Sequence, residues 1–246
     1  MKEWIIGRNP VYEVLRAKRR KSFRLRVAQN TDKKRHLADA LKICARQNIP
    51  IEFVPRAELD SLGEYHQGVA VEVSAYPYRT LFDILARAEG RGEPPFILVL
   101  DNVQDPRNLG AILRTGEAVG VHGVVLPLRR TATVTPIVVN TSSGASEHLL
   151  IVQANLAQAL EELKSAGVWV YGLESSTAAK PLSELDLSGA IALVIGNEAS
   201  GLRPLVRKSC DLLLELPMRG RIDSLNAAIA GSVALYFAWQ ARHFSS

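Results

Sequence analysis

The chain changes rhythm about a third of the way along its length. In the first 75 residues, short apolar stretches alternate with polar ones and turn residues. "NPVYEVLRA" sets Asn9 as a cap, Pro10 at the first helical position and Val11, Val14 and Leu15 on one face, which predicts a helix. "FRLRVA" alternates as a strand does, with Phe23, Leu25 and Val27 on one side. "TDKKRHLADALKICARQN" predicts an amphipathic helix with Leu37, Leu41 and Ile43 toward a core. "IEFV" and "GVAVEV" predict short strands, with Gly63 and Gly68 punctuating the approach to the second. A connector follows, in which Pro77 keeps "SAYPYRT" extended, "TLFDILARAE" reads as a short helix capped by Thr80, and "GRGEPP" breaks the chain again.

From Phe96 onward the apolar runs are uninterrupted: "FILVL", "GVVL", "LLIV", "VWVYGL", "IALVI" and "LLLEL". Helices lie between them, such as "NLAQALEELKSA" with Asn155 as cap and Gly167 as stop. Strands apolar on both faces, alternating with helices, predict a parallel sheet covered on both sides. The expectation is therefore an α/β chain: a small α/β unit over residues 1–75, a linker over 76–95, and a parallel-sheet domain over 96–246.

Composition narrows the class. With 47% hydrophobic and 22% charged residues, the chain has the mix of an ordinary globular protein. It has no uncharged apolar run long enough to span a bilayer, and "MKEWIIGRNP" is too charged for a signal peptide, so a cytoplasmic protein is expected. Cys44 and Cys210 are the only cysteines and lie far apart, which argues against a disulfide framework or a zinc site. Charge is unevenly divided. Residues 1–80 hold 16 Lys and Arg against 9 Asp and Glu, a net of +7, whereas residues 81–246 carry −2. The excess centres on Arg16, Lys18, Arg19, Arg20, Lys21, Arg24 and Arg26, with no acid between Glu13 and Asp32. Such a run is either a solvated basic face or a footprint for a polyanion, since clustered Lys and Arg release counterions when they neutralise phosphates.

Candidate chemistry gathers at three strand ends, where open parallel folds bind ligands. After "FILVL" comes "DNVQDPRNLGAILRT", with Gly110 and Arg114 four residues apart on one helix face. After "IALVI" comes "GNEASG", and after "LLLEL" comes "PMRGRIDSLNAAIAG", where Ser224 reads as the cap of a long helix beginning with Leu225 and Asn226. "GNEASG" imitates a dinucleotide fingerprint, but Glu198 stands where the middle glycine should be and would repel a pyrophosphate, which argues against a nicotinamide-dependent oxidoreductase. The last helix is bare on one side: Ala227, Ala228, Ala230, Gly231, Ser232 and Ala234 allow a backbone or a ligand to approach closely. A tight helix contact explains residues 230–234, and a ligand wall better explains Ser224–Ala228.

These three stretches, in this order and spacing, resemble the motifs of the SpoU (TrmH-type) RNA ribose 2′-O-methyltransferases of the knotted SPOUT superfamily. "GRNPVYEVLR" and "HQGVAVEV" are similar to the ribosomal-protein-like RNA-binding domain of the bacterial 23S rRNA guanosine-2′-O-methyltransferases. The resemblance implies a deep trefoil knot in the C-terminal domain and S-adenosyl-L-methionine as cofactor, held by Gly196, Leu216 and Leu225. It implies a catalytic set of Asn108, Arg114, Glu198, Ser224 and Asn226, with no metal. It also implies a homodimer through the knotted domain and an active site shared between subunits. The family gives the activating role to the arginine. A guanidinium is effectively always protonated, so Arg114 is expected to gather a phosphate and the 2′-oxygen while a neighbouring group or water takes the proton. Glu198 and Asn226 would orient Arg114 and the ribose, and "NTSSGASE" (Asn140–Glu147) would lie beside the target ribose. One departure is Ala227-Ala228, where many relatives have Val-Ser.

The resemblance leaves alternatives: a guanosine of 23S rRNA, a tRNA guanosine, an rRNA adenosine, or a non-catalytic RNA-binding relative. A whole N-terminal domain favours rRNA within this class, and intact Arg114, Glu198 and Asn226 favour an enzyme. On this expectation the basic run grips RNA phosphates while the C-terminal domain performs the chemistry.

Overall fold

The computed structural model describes residues 2–32, 35–176, 178–198, 200–221 and 224–242. Along the chain the elements run β1 (Lys2–Ile6), α1 (Arg8–Ala17), β2 (Ser22–Ala28), α2 (His36–Arg46), β3 (Ile51–Val54), α3 (Arg56–Asp60), β4 (Val69–Ser74), α4 (Leu81–Arg91), β5 (Phe96–Leu100), α5 (Pro106–Ala118), β6 (Gly123–Pro127) and α6 (Pro136–Thr141). They continue with β7 (Leu150–Ala154), α7 (Leu156–Ser165), β8 (Trp169–Leu173), β9 (Lys180–Pro181), β10 (Ile191–Ile195), α8 (Pro204–Ser209), β11 (Leu212–Glu215) and α9 (Ala227–Ala241). They form two compact units: Met1–Pro77 with Thr133–His148, and Tyr78–Ala132 with Leu149–Ser246. No described helix is long and apolar enough to cross a membrane.

The first unit holds a four-stranded sheet in the order β1-β4-β2-β3, with β1 and β2 antiparallel to β4 and β3 parallel to β2. β1 was not anticipated, because "KEWII" opens with charge and only Ile5 and Ile6 are buried. α1 begins at Arg8 behind Gly7, two residues before the expected start, so Asn9 lies inside the helix rather than capping it. Pro10 then falls in the first turn, where its missing N–H removes no helical bond. α2 buries Leu37, Ala40 and Cys44 rather than Leu37, Leu41 and Ile43, so its apolar face is turned from the one expected.

Thr133–His148 was expected to belong to the C-terminal domain, yet it packs into the first unit. The reason is electrostatic and steric. Glu147 is fully buried and meets the buried Arg20 guanidinium at 2.9 Å, and Arg20 reaches Glu3 at 2.7 Å. The Tyr76 hydroxyl donates to the Ser146 carbonyl at 3.0 Å. Gly144, at φ 89°, has no room for a side chain, because a Cβ would lie 2.5 Å from that of Glu13. Gly144, Ser146 and Glu147 of "NTSSGASE" are thus structural parts of this unit.

The second unit is a seven-stranded sheet in the order β7-β6-β5-β10-β8-β11-β9, and every pairing is parallel. β5 and β10 lie together, Phe96 opposite Ile191, and every residue of both is buried. All six strands expected from the apolar runs are present. Thr80 caps α4 through a reciprocal capping box with Asp83, and Asn155 caps α7. α5 and α9 pack closely: the Thr115 and Ser232 hydroxyls are 2.9 Å apart, and a Cβ on Gly231 would lie 2.5 Å from Cδ1 of Ile112. The small residues around position 231 therefore serve a helix contact.

His122 ties the start of the central strand to the loop before it. The buried ring accepts the Phe96 N–H at Nδ1 (2.9 Å), so its proton sits on Nε2, 2.9 Å from the Glu93 carboxylate. Burial holds the imidazole pKa below the usual histidine value. With the folded value depressed, this contribution to stability is complete above the unfolded value of about 6.5 and is lost as pH falls through the folded one. Denaturant unfolding should show the wild type losing stability from pH 7.5 to pH 5. The fall should be smaller in His122→Gln, which starts lower; equal losses in both proteins would remove His122 as the cause.

Candidate active site

Because all seven strands run the same way, their carboxyl ends share one edge, and three loops meet there. The loop after β5 starts with Asp101, a fully buried carboxylate. It accepts the backbone N–H of Arg203 at 2.8 Å and Nε of the same residue at 2.6 Å. Asn102 sits at φ 63°, and its carbonyl accepts Nδ2 of Asn197 at 3.0 Å. Asp105 then caps α5, with Pro106 in the first turn. The loop after β10 is a narrow reverse turn closed by paired backbone bonds between Asn197 and Gly201. A Cβ on Gly196 would lie 2.5 Å from the Gly201 carbonyl carbon, so only glycine allows the turn to fold back this far. Asp101, Arg203 and Asn102 were not singled out in the sequence. The available signal was a carboxylate placed immediately after a wholly apolar strand.

The third loop supplies Asn226, which, rather than Ser224, caps α9. Its Oδ1 accepts from the N–H groups of Ala228 (2.9 Å) and Ile229 (3.3 Å). That fixes which way the amide faces. Its Nδ2 donates to Oδ1 of Asn108 at 3.2 Å and to Oε2 of Glu198 at 3.1 Å. One side chain from each loop thus meets in a single network, and the Asn226 amide uses all of its hydrogen-bonding capacity.

Beside this network lies a cavity of about 160 Å³, whose lining includes Gly196, Glu198, Leu216, Ser224 and Leu225. Leu173, Ile195, Leu214 and Met218 complete apolar walls, and Glu174 and Glu198 contribute carboxylates. Glu174 also holds Arg207 at 2.8 Å and accepts the Leu202 N–H. Apolar walls with carboxylates suit a flat heteroaromatic ring joined to a cationic group. A second cavity, lined by Val103, Asn108, Asn197, Glu198 and Ala227, adjoins the first. Ala227 and Ala230 line the first cavity, so α9 presents small residues both to it and to α5. Of the expected catalytic residues, Asn108, Glu198, Ser224 and Asn226 are gathered here. Arg114 is exposed on α5 and lines neither cavity, whereas Gly110, expected on its face, is buried. Ala199, Ile222 and Asp223 of the same motifs lie outside the described residues.

The basic run of the first unit is largely neutralised within the fold. Arg20 is buried between Glu3 and Glu147 and has no solvent-facing guanidinium to offer a phosphate, which corrects its expected place in an RNA footprint. Arg24 pairs with Glu52 and Glu72, Arg26 with Glu52, and both lie over the Trp4 ring. The paired arginines hold the Glu52 carboxyl below its usual range. Arg16 pairs with Glu13, and Arg19 donates to the Tyr76 hydroxyl. Lys18 and Lys21 are exposed.

Residues 95–236 match the SpoU rRNA Methylase family, and residues 4–79 match the family described as RNA 2′-O ribose methyltransferase substrate binding. YacO of Bacillus subtilis, assigned by name to the TrmH family of tRNA/rRNA methyltransferases, is 41% identical over 98% of this chain and 96% of its own length. The chain belongs to the SpoU rRNA methylase family. Among solved structures, the SpoU methyltransferase AviRb of Streptomyces viridochromogenes, in complex with the cofactor AdoMet, shares the fold with a TM-score of 0.81. That match has 24% identity and covers 99% of this chain and 92% of AviRb. An AdoMet-bound rRNA methyltransferase of Sinorhizobium meliloti, also 24% identical, has a TM-score of 0.79 over 100% of this chain and 88% of its own.

Arg203→Ala would leave the Asp101 carboxylate buried with its charge partner removed. A loss of about 1–3 kcal/mol in unfolding free energy is expected, with weaker ligand binding at the neighbouring turn. Denaturant titration checks it, and a change below about 0.5 kcal/mol, the range of ordinary surface substitutions, would show that the pair is not holding this edge.

Proposed function

We propose that the chain transfers a methyl group from S-adenosyl-L-methionine to the ribose 2′-hydroxyl of a nucleotide in structured RNA, a guanosine of 23S rRNA. The observation that carries this is the network in which Asn226 bonds Asn108 and Glu198 beside a cavity of apolar walls and carboxylates. When bound, S-adenosylmethionine supplies an electrophilic methyl on a sulfonium, which suits in-line transfer to an oxygen. In this reading Leu216 and Leu225 flank the adenine, Gly196 gives backbone access to its edge, and Glu174 and Glu198 favour the positive charge. The backbone of this loop region forms the deep trefoil knot of the superfamily.

The adjoining cavity takes the ribose. Asn108 and Asn226 position it and Glu198 anchors Asn226, while Ser224, in the lining of the first cavity, serves the cofactor side. Arg114 gathers a phosphate and the 2′-oxygen, stabilising the alkoxide as the hydroxyl proton passes to water or a neighbouring group. The position of Arg114 outside both cavities favours a homodimer in which it serves the partner's site. Exposed Ile229, Val233, Tyr236 and Phe237 recur at helical spacing on α9 and give that dimer an apolar face. The first unit carries RNA through Arg16, Lys18, Arg19 and Lys21. The RNA is 23S rRNA, and the protein works in the cytoplasm, where ribosomes are assembled.

Mapping ribose methylation across rRNA and tRNA, in cells with and without the protein, should show one lost mark on a 23S guanosine. A mark lost from tRNA or from an rRNA adenosine would reassign the substrate, and no lost mark anywhere would remove the function. Arg114→Lys should lower kcat by about 100-fold or more, the scale of losing one oriented donor at a developing oxyanion. Its S-adenosylmethionine affinity, read by calorimetry, should stay unchanged. A variant transferring methyl at the wild-type rate would strip Arg114 of its role.

A further inference from the structure

On the other side of the Asp101–Arg203 pair, the same sheet edge carries a groove of about 730 Å³ beyond the ends of β6 and β7. Its lining includes Leu128, Arg129, Arg130, Arg203, Pro204 and Leu205, and no carboxylate is part of it. Arg129 and Arg130 are exposed and, among the described residues, neither makes an ion pair. By contrast, Arg16, Arg20, Arg24, Arg26, Arg203 and Arg207 meet carboxylates. Leu128 is 62% exposed and Leu205 72%, a high apolar exposure for a groove lined by three guanidinium groups.

The groove is fastened to the catalytic network. The Val103 carbonyl accepts Oγ1 of Thr131 at 3.0 Å and the N–H of Ala132 at 2.8 Å, so the loop bearing Arg129 and Arg130 is bonded to the loop after β5. Val103 itself lines the cavity shared by Asn108 and Glu198. Arg203 lines the groove while its Nε holds Asp101. A ligand in the groove therefore lies one loop away from the place where a ribose would react.

We propose that this groove holds the single-stranded backbone next to the target nucleotide, with phosphates on Arg129 and Arg130 and a base face against Leu128, Pro204 and Leu205. The inference rests on the function proposed above. Charge complementarity selects a polyanion, and the apolar floor selects one with exposed base faces. A duplex offers mainly phosphates and 2′-hydroxyls, whereas unpaired nucleotides offer bases as well. The groove would hold the target's neighbour in place irrespective of its sequence.

The test uses full-length protein and a fluorescent oligouridylate, with affinity measured across a salt series. The variant is Arg129→Ala with Arg130→Asn, asparagine being suited to the φ of 59° at position 130. Removing two phosphate contacts should make the slope of log K against log salt less negative by about 1.4. It should also weaken binding about 10- to 100-fold at low salt, a range set by that slope. S-adenosylmethionine binding should not change, and the KM for a 23S rRNA transcript should rise with kcat retained. The double lysine variant should keep the wild-type slope. An unchanged slope in the Ala/Asn protein would overturn the groove assignment, as would tighter competition by an acidic peptide than by the oligouridylate. Absence of methyl transfer by the wild type to any RNA would instead remove the parent reading, and the salt slope would still decide whether the groove binds RNA.

Discussion

The Asn226 amide is the point at which the second unit becomes a site. Its oxygen is committed to the first turn of α9, where two N–H groups need an acceptor, and its nitrogen is thereby turned toward Asn108 and Glu198. Helix capping and site assembly are therefore one interaction. The direction of α9, the position of the β10 loop and the start of α5 cannot be set independently of one another. The buried Asp101 carboxylate adds a second fastening between the β5 and β10 loops through Arg203. Both loops are thereby fastened to the sheet edge, as a reaction that depends on alignment requires.

Arginine is used in two opposite ways. In the first unit, Arg20, Arg24 and Arg26 are absorbed by Glu3, Glu147, Glu52 and Glu72, joining strands and fixing Thr133–His148 in place. A buried guanidinium is tolerated only because carboxylates surround it, and such pairs specify one arrangement of the chain more than they add stability. At Arg129 and Arg130 no carboxylate lines the groove, and the charge stays available to a ligand. The density of basic residues is therefore a poor guide to where positive charge stays open. Pairing decides, and pairing depends on residues far away in the sequence.

α9 shows how one helix serves several neighbours. Its small residues meet Ile112 and Ile195 near Gly231, Ala227 and Ala230 face the cavity, and Ile229, Val233, Tyr236 and Phe237 are exposed. A helix apolar on nearly every side would be unstable in water unless each face found a partner. The exposed face is the one that the proposed homodimer would use.

Much of this was legible in the order of residues. Apolar runs of strand length alternating with helices predict buried parallel strands, so the seven-stranded sheet's main strands and the caps at Thr80 and Asn155 followed from local pattern. Gly196, Glu198, Leu216, Ser224 and Leu225 could be placed near one another because parallel strands end on one edge. Distant pairings were not legible. No periodicity indicates that Arg20 meets Glu147 across 127 positions, that Asp101 holds Arg203, or that Asn226 rather than Ser224 caps the last helix. Those outcomes turn on which donors and acceptors are left without water once the chain is compact. The sequence by itself settled the long apolar strands of the parallel sheet and the helices capped at Thr80 and Asn155, because burial and hydrogen bonding within a segment are local, whereas β1 and the short helices α3, α6 and α8 carried no such pattern. Tertiary structure alone decided which charges are neutralised and which remain open, because a guanidinium's partner is whatever carboxylate the folded backbone brings within reach.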